Sequence, residues 1–260
     1  SSTAKNVTPS GVPGAGWFAT DDMQAAANQA VDIMRRRGEP QMPQITTWLP
    51  HLLYSQLVLA DYLDLELPQR WWVSPEDDLL LRYQDDPSSL PPGGSNLRVR
   101  FQSSYELGPA FYSPDAMQDG VPTIEQSTQH NQFYVGTSAT PLGRRTLSEI
   151  RHPAQKVMMH DRYQRHFGPR QAFFGYREAR LPVLMSDGSV LVRLCGDANS
   201  GFNPNRPTSP GVMRYFYAPA PSEPPTLSGE EADLVFGFFR WTRSGLRGRD
   251  FNGPEVPWVD

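Results

Sequence analysis

Residues 181–194 read LPVLMSDGSVLVRL, from Leu181 to Leu194. Two runs rich in aliphatic and β-branched residues flank Asp187-Gly188, a pair that tolerates the positive φ angles of a tight turn. The stretch predicts an antiparallel β-hairpin with Asp187 and Gly188 at its tip. Working outward, residues 156–159 read as a short strand, and residues 213–217 and 234–241 as two more. Residues 147–150 suit a single helical turn. Further upstream, residues 97–107 (LRVRFQSSYEL) alternate apolar and polar side chains and read as a strand. A long loop follows, punctuated by Pro109, Pro114, Gly120 and Pro122.

The first third has a different texture. Residues 1–16 are small, polar and broken by Pro and Gly, as in a tail or linker. Residues 21–37 place Met23, Ala27, Ala30, Val31 and Met34 on one helical stripe. Asp21 or Thr20 stands at the start, and Arg35, Arg36, Arg37 and Gly38 at the end, the charges and stop signal expected of a helix C-terminus. A second helix is expected at about 50–63 and a third after Ser74, which would cap it with Pro75 in the first turn. Helices first and strands later predict the α+β class. The expected organisation is a tail at 1–16, a helical part at 17–95 and an irregular β-rich part at 96–260, the last two forming one domain.

Composition narrows the function classes. The chain has 260 residues with 24 Lys and Arg against 28 Asp and Glu, and no basic run long enough to track phosphates. Nucleic acid is therefore not an expected partner. The 26 prolines and 21 glycines favour short elements joined by many ordered loops. The single cysteine, Cys195, sits in an apolar run and reads as a buried, inert thiol. No stretch approaches the roughly 18 apolar residues of a membrane span.

Motifs of catalysis and metal binding are sparse. His51, His130, His152, His160 and His166 do not form an H-E-x-x-H or a Cys/His set. Asp197, Asn199 and Gly201, followed by Asn203 and Asn205, resemble the opening of a calcium loop, but with one carboxylate and no distal Glu. An Asx-rich turn is the competing reading, and calcium is carried as a weak cofactor candidate at Asp197 and Asn199. No nucleophile elbow or phosphate loop is present, so no catalytic residue is assigned. The acidic pairs Asp77-Asp78 and Asp85-Asp86 read as solvated. Trp71 or Trp72 would suit a sugar-stacking platform. Arg240, Trp241, Arg243 and Arg247 combine the residue types that anchor protein contacts and are the candidate partner interface.

Residues 148–157 (SEIRHPAQKV) contain Ser148, Ile150, Pro153, Lys156 and Val157, and residues 185–190 (MSDGSV) carry the hairpin. Together with residues 236–248 (FGFFRWTRSGLRG) and the HLLYS run at 51–55, they resemble a large bacterial family of prepilin-like proteins related to type II secretion pseudopilins. Many relatives carry His ten residues before the Asp-Gly aspartate, where this chain has Arg177. The resemblance implies N-terminal helices packed on a small antiparallel sheet with long ordered loops. It implies a structural or assembly subunit of an extracytoplasmic secretion or surface filament system, without catalysis, whose partners are other pilin-like subunits or secretion components. It also implies a periplasmic or cell-surface location, with a membrane anchor helix preceding Ser1 in the precursor. A carbohydrate-binding surface protein is the alternative, and a hydrolase of unrecognised type a more distant one.

Overall fold

A computed structural model of the chain describes residues 6–7, 17–46, 48, 50, 52–112, 117–118, 121–122, 124–131, 133–135 and 145–256. It contains helices and antiparallel sheets, an α+β protein. The chain divides into two compact units, 1–105 and 106–260. His51, Pro114, Gly120 and residues 1–5, 8–16 and 142–144 lie outside the described residues, so the corresponding parts of the tail, loop and motif readings do too.

In the first unit, α1 spans Asp22–Arg37, as the stripe predicts. The Asp21 carboxylate accepts from the Gln24 N–H at 2.8 Å and satisfies one of the donors that a helix start leaves open. Ala30, Val31, Ile33 and Met34 pack into a core with Met42, Ile45, Leu53, Tyr54, Leu57, Leu67 and Trp72. Past the helix end, Gly38 lies so close to the Leu67 carbonyl that a Cβ there would stand 2.0 Å from its oxygen. The second expected helix is split into a 3₁₀ turn, Leu52–Tyr54, and α2, Leu57–Tyr62. The third, α3, runs Asp78–Asp85, and its cap is Asp77 rather than Ser74. The acidic pairs thus have local work: Asp77 caps α3, and Asp86 caps the 3₁₀ turn Pro87–Ser89.

The expected strand at 97–107 is a correction. Gly94–Phe101 forms a 3₁₀ helix, and only Tyr105–Leu107, here β1, is extended. A strand needs a neighbour to take its backbone groups, whereas a 3₁₀ helix satisfies them locally. Asn96 fixes the start by donating to the Pro92 carbonyl at 2.9 Å, and Phe101 closes the segment into the helical core. Phe101 thus belongs to the core of the first unit, which runs to residue 105.

A four-stranded sheet starts at the unit boundary and runs through the second unit. Its strands are β1, β2 (Val157–Asp161), β3 (Arg180–Met185) and β4 (Val190–Leu194), in the order β4-β3-β2-β1, with β2, β3 and β4 paired antiparallel. The predicted hairpin is β3–β4, with Leu184 opposite Val190 and Arg180 opposite Leu194. Its loop is Ser186-Asp187-Gly188. Gly188 takes φ +88°, and the Asp187 carboxylate accepts from the Ser189 N–H at 2.9 Å. A separate hairpin pairs β5 (Arg214–Tyr217) with β6 (Asp233–Phe236). Strand β6 stops before residue 241 because Gly237 abuts the Trp241 ring and Phe239 adopts φ +58°. Leu147–Glu149 is the expected helical turn, closed by a capping box between Thr146 and Glu149. The core of this unit is largely aromatic: Phe173 stacks on Tyr217 with ring centroids 4.6 Å apart, and Phe174, Phe239 and Phe251 continue the cluster.

Asp21→Ala removes the α1 cap and is expected to destabilise the first unit by about 1 kcal/mol, read as a lower midpoint in urea denaturation followed by helical circular dichroism.

Candidate functional site

The alternation of β3 and β4 sends two sets of side chains to opposite faces of the sheet. Leu181, Val183 and Met185 are fully buried, together with Val157 and His160 of β2. The other face carries Met159, Pro182, Leu184, Val190, Val192 and Leu194, with Arg180 at one end. An antiparallel sheet buried on one side ordinarily shows polar residues on the other. Here the outer side is apolar, and Val190 and Val192 are 67% and 50% exposed. A cluster of this kind marks an interaction surface more often than scattered exposed residues do. Where Arg180 and Leu194 end it, the surface continues into a shallow depression of about 470 Å³ that Gln164, His166, Phe167 and Glu178 also line.

This face is held from beneath by Lys156. Its ammonium is fully buried and donates to Asp250 at 3.1 Å and to Thr242. Asp250 also accepts from the Val157 N–H at 2.8 Å and from the Thr242 hydroxyl. The Lys156 carbonyl meanwhile accepts from both the N–H and the hydroxyl of Ser186, at 2.9 and 3.0 Å, in the turn of the β3–β4 hairpin. One residue of the SEIRHPAQKV segment therefore joins the hairpin turn to the C-terminal segment.

A second buried network holds the loops. Arg240 donates to Glu106 at 2.8 Å and to the His130 carbonyl at 2.9 Å. Arg162 donates to Glu223 at 2.9 Å, and the Tyr163 hydroxyl does the same at 2.9 Å. His130 Nε2 donates to the other Glu223 oxygen at 2.9 Å, and so does the Ala220 N–H. Glu223 thereby pins the long β5–β6 connection. Burial opposes ionisation of Glu223, yet the His130 hydrogen bond and the Arg162 charge outweigh it and bring its pKa to about 2. Burial likewise opposes ionisation of Glu106, but Arg240 and Arg162 lower its pKa. Burial lowers the pKa of His160, whose Nδ1–H donates to the Asp161 carbonyl. Burial also pushes Asp161 up to about 6 against the pull of Arg165.

These distances correct the interface expectation. Arg240 and Trp241 are 2% and 1% exposed, so neither fronts a contact surface. The Arg240 guanidinium lies 5.1 Å over Phe174 and 5.5 Å over Tyr215, inside the aromatic core. Half-buried Arg243 pairs with Glu255 at 3.0 Å, and Arg247 is half-buried in the 3₁₀ turn Gly245–Arg247. The Asn199 amide donates to the Arg249 carbonyl, while Asp197 is exposed. Asn203 accepts from the Asn205 N–H as an Asx turn does. Among the described residues, no group of three or more His, Cys, Asp or Glu is placed to hold a metal. Cys195 is buried, which pushes its thiol pKa well up.

Sequence reasoning found the hairpin and quoted Lys156 within a motif, but missed Glu106, Arg162, Glu223 and Asp250 as a set. Their partners lie up to 134 residues away, and no spacing rule spans such separations. No family model, curated protein or solved structure matches the chain.

Lys156→Met leaves the Asp250 carboxylate buried and unpaired and is expected to cost about 3–5 kcal/mol in chemical denaturation; adding Asp250→Asn, which keeps an acceptor for Val157 N–H, should restore most of it. Glu223 has a folded pKa below that of a free glutamate, about 4.3. Its contribution is complete above that pH and lost as pH falls toward about 2. Stability measured across that window should fall less steeply in Glu223→Gln than in the parent.

Proposed function

We propose that this chain is a pilin-like or pseudopilin-like structural subunit of an extracytoplasmic secretion or surface filament system, and that it performs no catalysis. The observation that carries this reading is the outer face of the β3–β4 hairpin, where an assembly surface would be apolar and a solvent-facing sheet polar. The motifs of residues 148–157 and 185–190 support it, since Lys156 and Ser186 link them physically. On this reading the α+β make-up, a helical first unit and a sheet-bearing second one, is that of a pilin-like subunit. The partners are other pilin-like subunits or secretion components, and no cofactor is required. The protein sits in the periplasm or at the cell surface, held to the membrane by a helix upstream of Ser1 in the precursor.

One observation favours a second reading, a carbohydrate-binding surface protein. Trp71 is 59% exposed while Trp72 is buried, so Trp71 is the ring available for stacking on a sugar.

The precursor sequence tests the first reading. An apolar helix of about 20 residues behind a cleavage site, directly upstream of Ser1, is expected. A soluble domain in that place would overturn it, as would turnover in a broad glycosidase and esterase screen. Retention on a glycan array that Trp71→Ala abolishes would favour the second.

A further inference from the structure

We infer that two copies of this chain pair edge to edge through β4, antiparallel and centred on Val192. The inference builds on the assembly reading by naming a partner for the hairpin surface.

Strand β4 ends the sheet, and among the described residues no strand pairs with its outer side. The ladder fixes which residues face that side. The Met185 N–H donates to the Ser189 carbonyl, and the Cys195 N–H to the Ala179 carbonyl. The odd-numbered pairs of the hairpin therefore exchange the hydrogen bonds, because bonded and non-bonded pairs alternate along an antiparallel ladder. The even-numbered residues turn their N–H and C=O away from β3. Two observations agree. Pro182, opposite Val192, has no N–H to give, and the Arg180 N–H, opposite Leu194, donates to Gln164 on the other side at 2.8 Å. Val190, Val192 and Leu194 thus present donors and acceptors at the open edge.

These residues also share the apolar outer face. In a two-fold antiparallel pairing, Val192 meets Val192 of the second copy, and Val190 meets Leu194 in both directions. All three are bonded pairs, and all three are apolar contacts on one face. Other registers of the same parity do worse. A shift centred on Arg193 sets two guanidinium groups opposite each other, a destabilising contact. A shift centred on Leu191 moves Leu194 opposite Gly188 of the turn, where the strand has ended. The Val192 register sets each Arg193 against Leu191 instead. Nothing on β4 blunts the edge: it has no proline, no lysine and no bulge, and its single charge, Arg193, lies over the Phe251 ring at 5.4 Å. Five-residue strands make a small contact, so the pairing is weak and concentration-dependent. Its natural setting is an array that holds copies close together.

Variants with one added cysteine test the register, because buried Cys195 leaves a low background that the parent protein measures directly. With a short bis-maleimide at high protein concentration, Val192→Cys should give a covalent dimer. Val190→Cys or Leu194→Cys alone should give none, since the two-fold axis sets like positions far apart, but a mixture of the two should cross-link. Absence of the Val192→Cys dimer, or equal dimer from Val190→Cys alone, overturns the proposal. A Val192→Cys dimer without a cross-link in the mixture overturns this register. Failure here leaves assembly through other surfaces standing, whereas a precursor with no anchor helix removes the assembly reading and leaves the cross-linking result as it is.

Discussion

The second unit depends on one buried ion pair. Lys156 places an ammonium where no water reaches it, and such a charge is tolerated only with an acceptor set that meets its donors. Asp250 and Thr242 supply that set, and both come from the last 20 residues of the chain. Because Asp250 also binds the Val157 N–H, and the Lys156 carbonyl binds Ser186, the pair fixes the C-terminal segment, the start of β2 and the hairpin turn in one arrangement. An apolar substitute would bury more comfortably but would not choose among ways of laying down so many loops.

The Glu106–Arg240 and Arg162–Glu223 pairs extend the same logic. With few long strands, the unit cannot rely on ladders to place its connections. It uses directional charge-assisted bonds instead, threaded through a core of stacked aromatic rings that tolerates irregular backbone. Each arginine faces an acid and lies over an aromatic ring. Glu106 and Arg240 are buried, Arg162 and Glu223 are partly buried, and all four are paired across the loops they hold.

The legible parts of the fold were those decided by neighbours in sequence. Helix α1 was readable because its stripe, its Asp21 cap and its terminal arginines lie within one short segment. The β3–β4 hairpin was readable because Asp187-Gly188 carries its own turn chemistry. The segment 97–107 was misleading because period-two alternation does not reveal whether a partner strand exists, and without one the backbone closes on itself as a 3₁₀ helix. Arg240 and Trp241 were misleading for a related reason. Trp and Arg are common both at contact surfaces and in satisfied cores, and only a distant acid, Glu106, tells the two apart.

The amino-acid sequence by itself determined the local elements, the balance of charge and the hairpin whose β-rich runs alternate about a turn. Tertiary structure alone decided which face of that hairpin meets water and which strand ends the sheet. It also decided which charged residues vanish into the core. Burial and edge position are properties of the whole chain, set by contacts between segments far apart in sequence, and no local pattern carries them. The Asp187-Gly188 turn announces that two strands pair; the packing of Leu181, Val183 and Met185 beneath them leaves Val190 and Val192 facing outward.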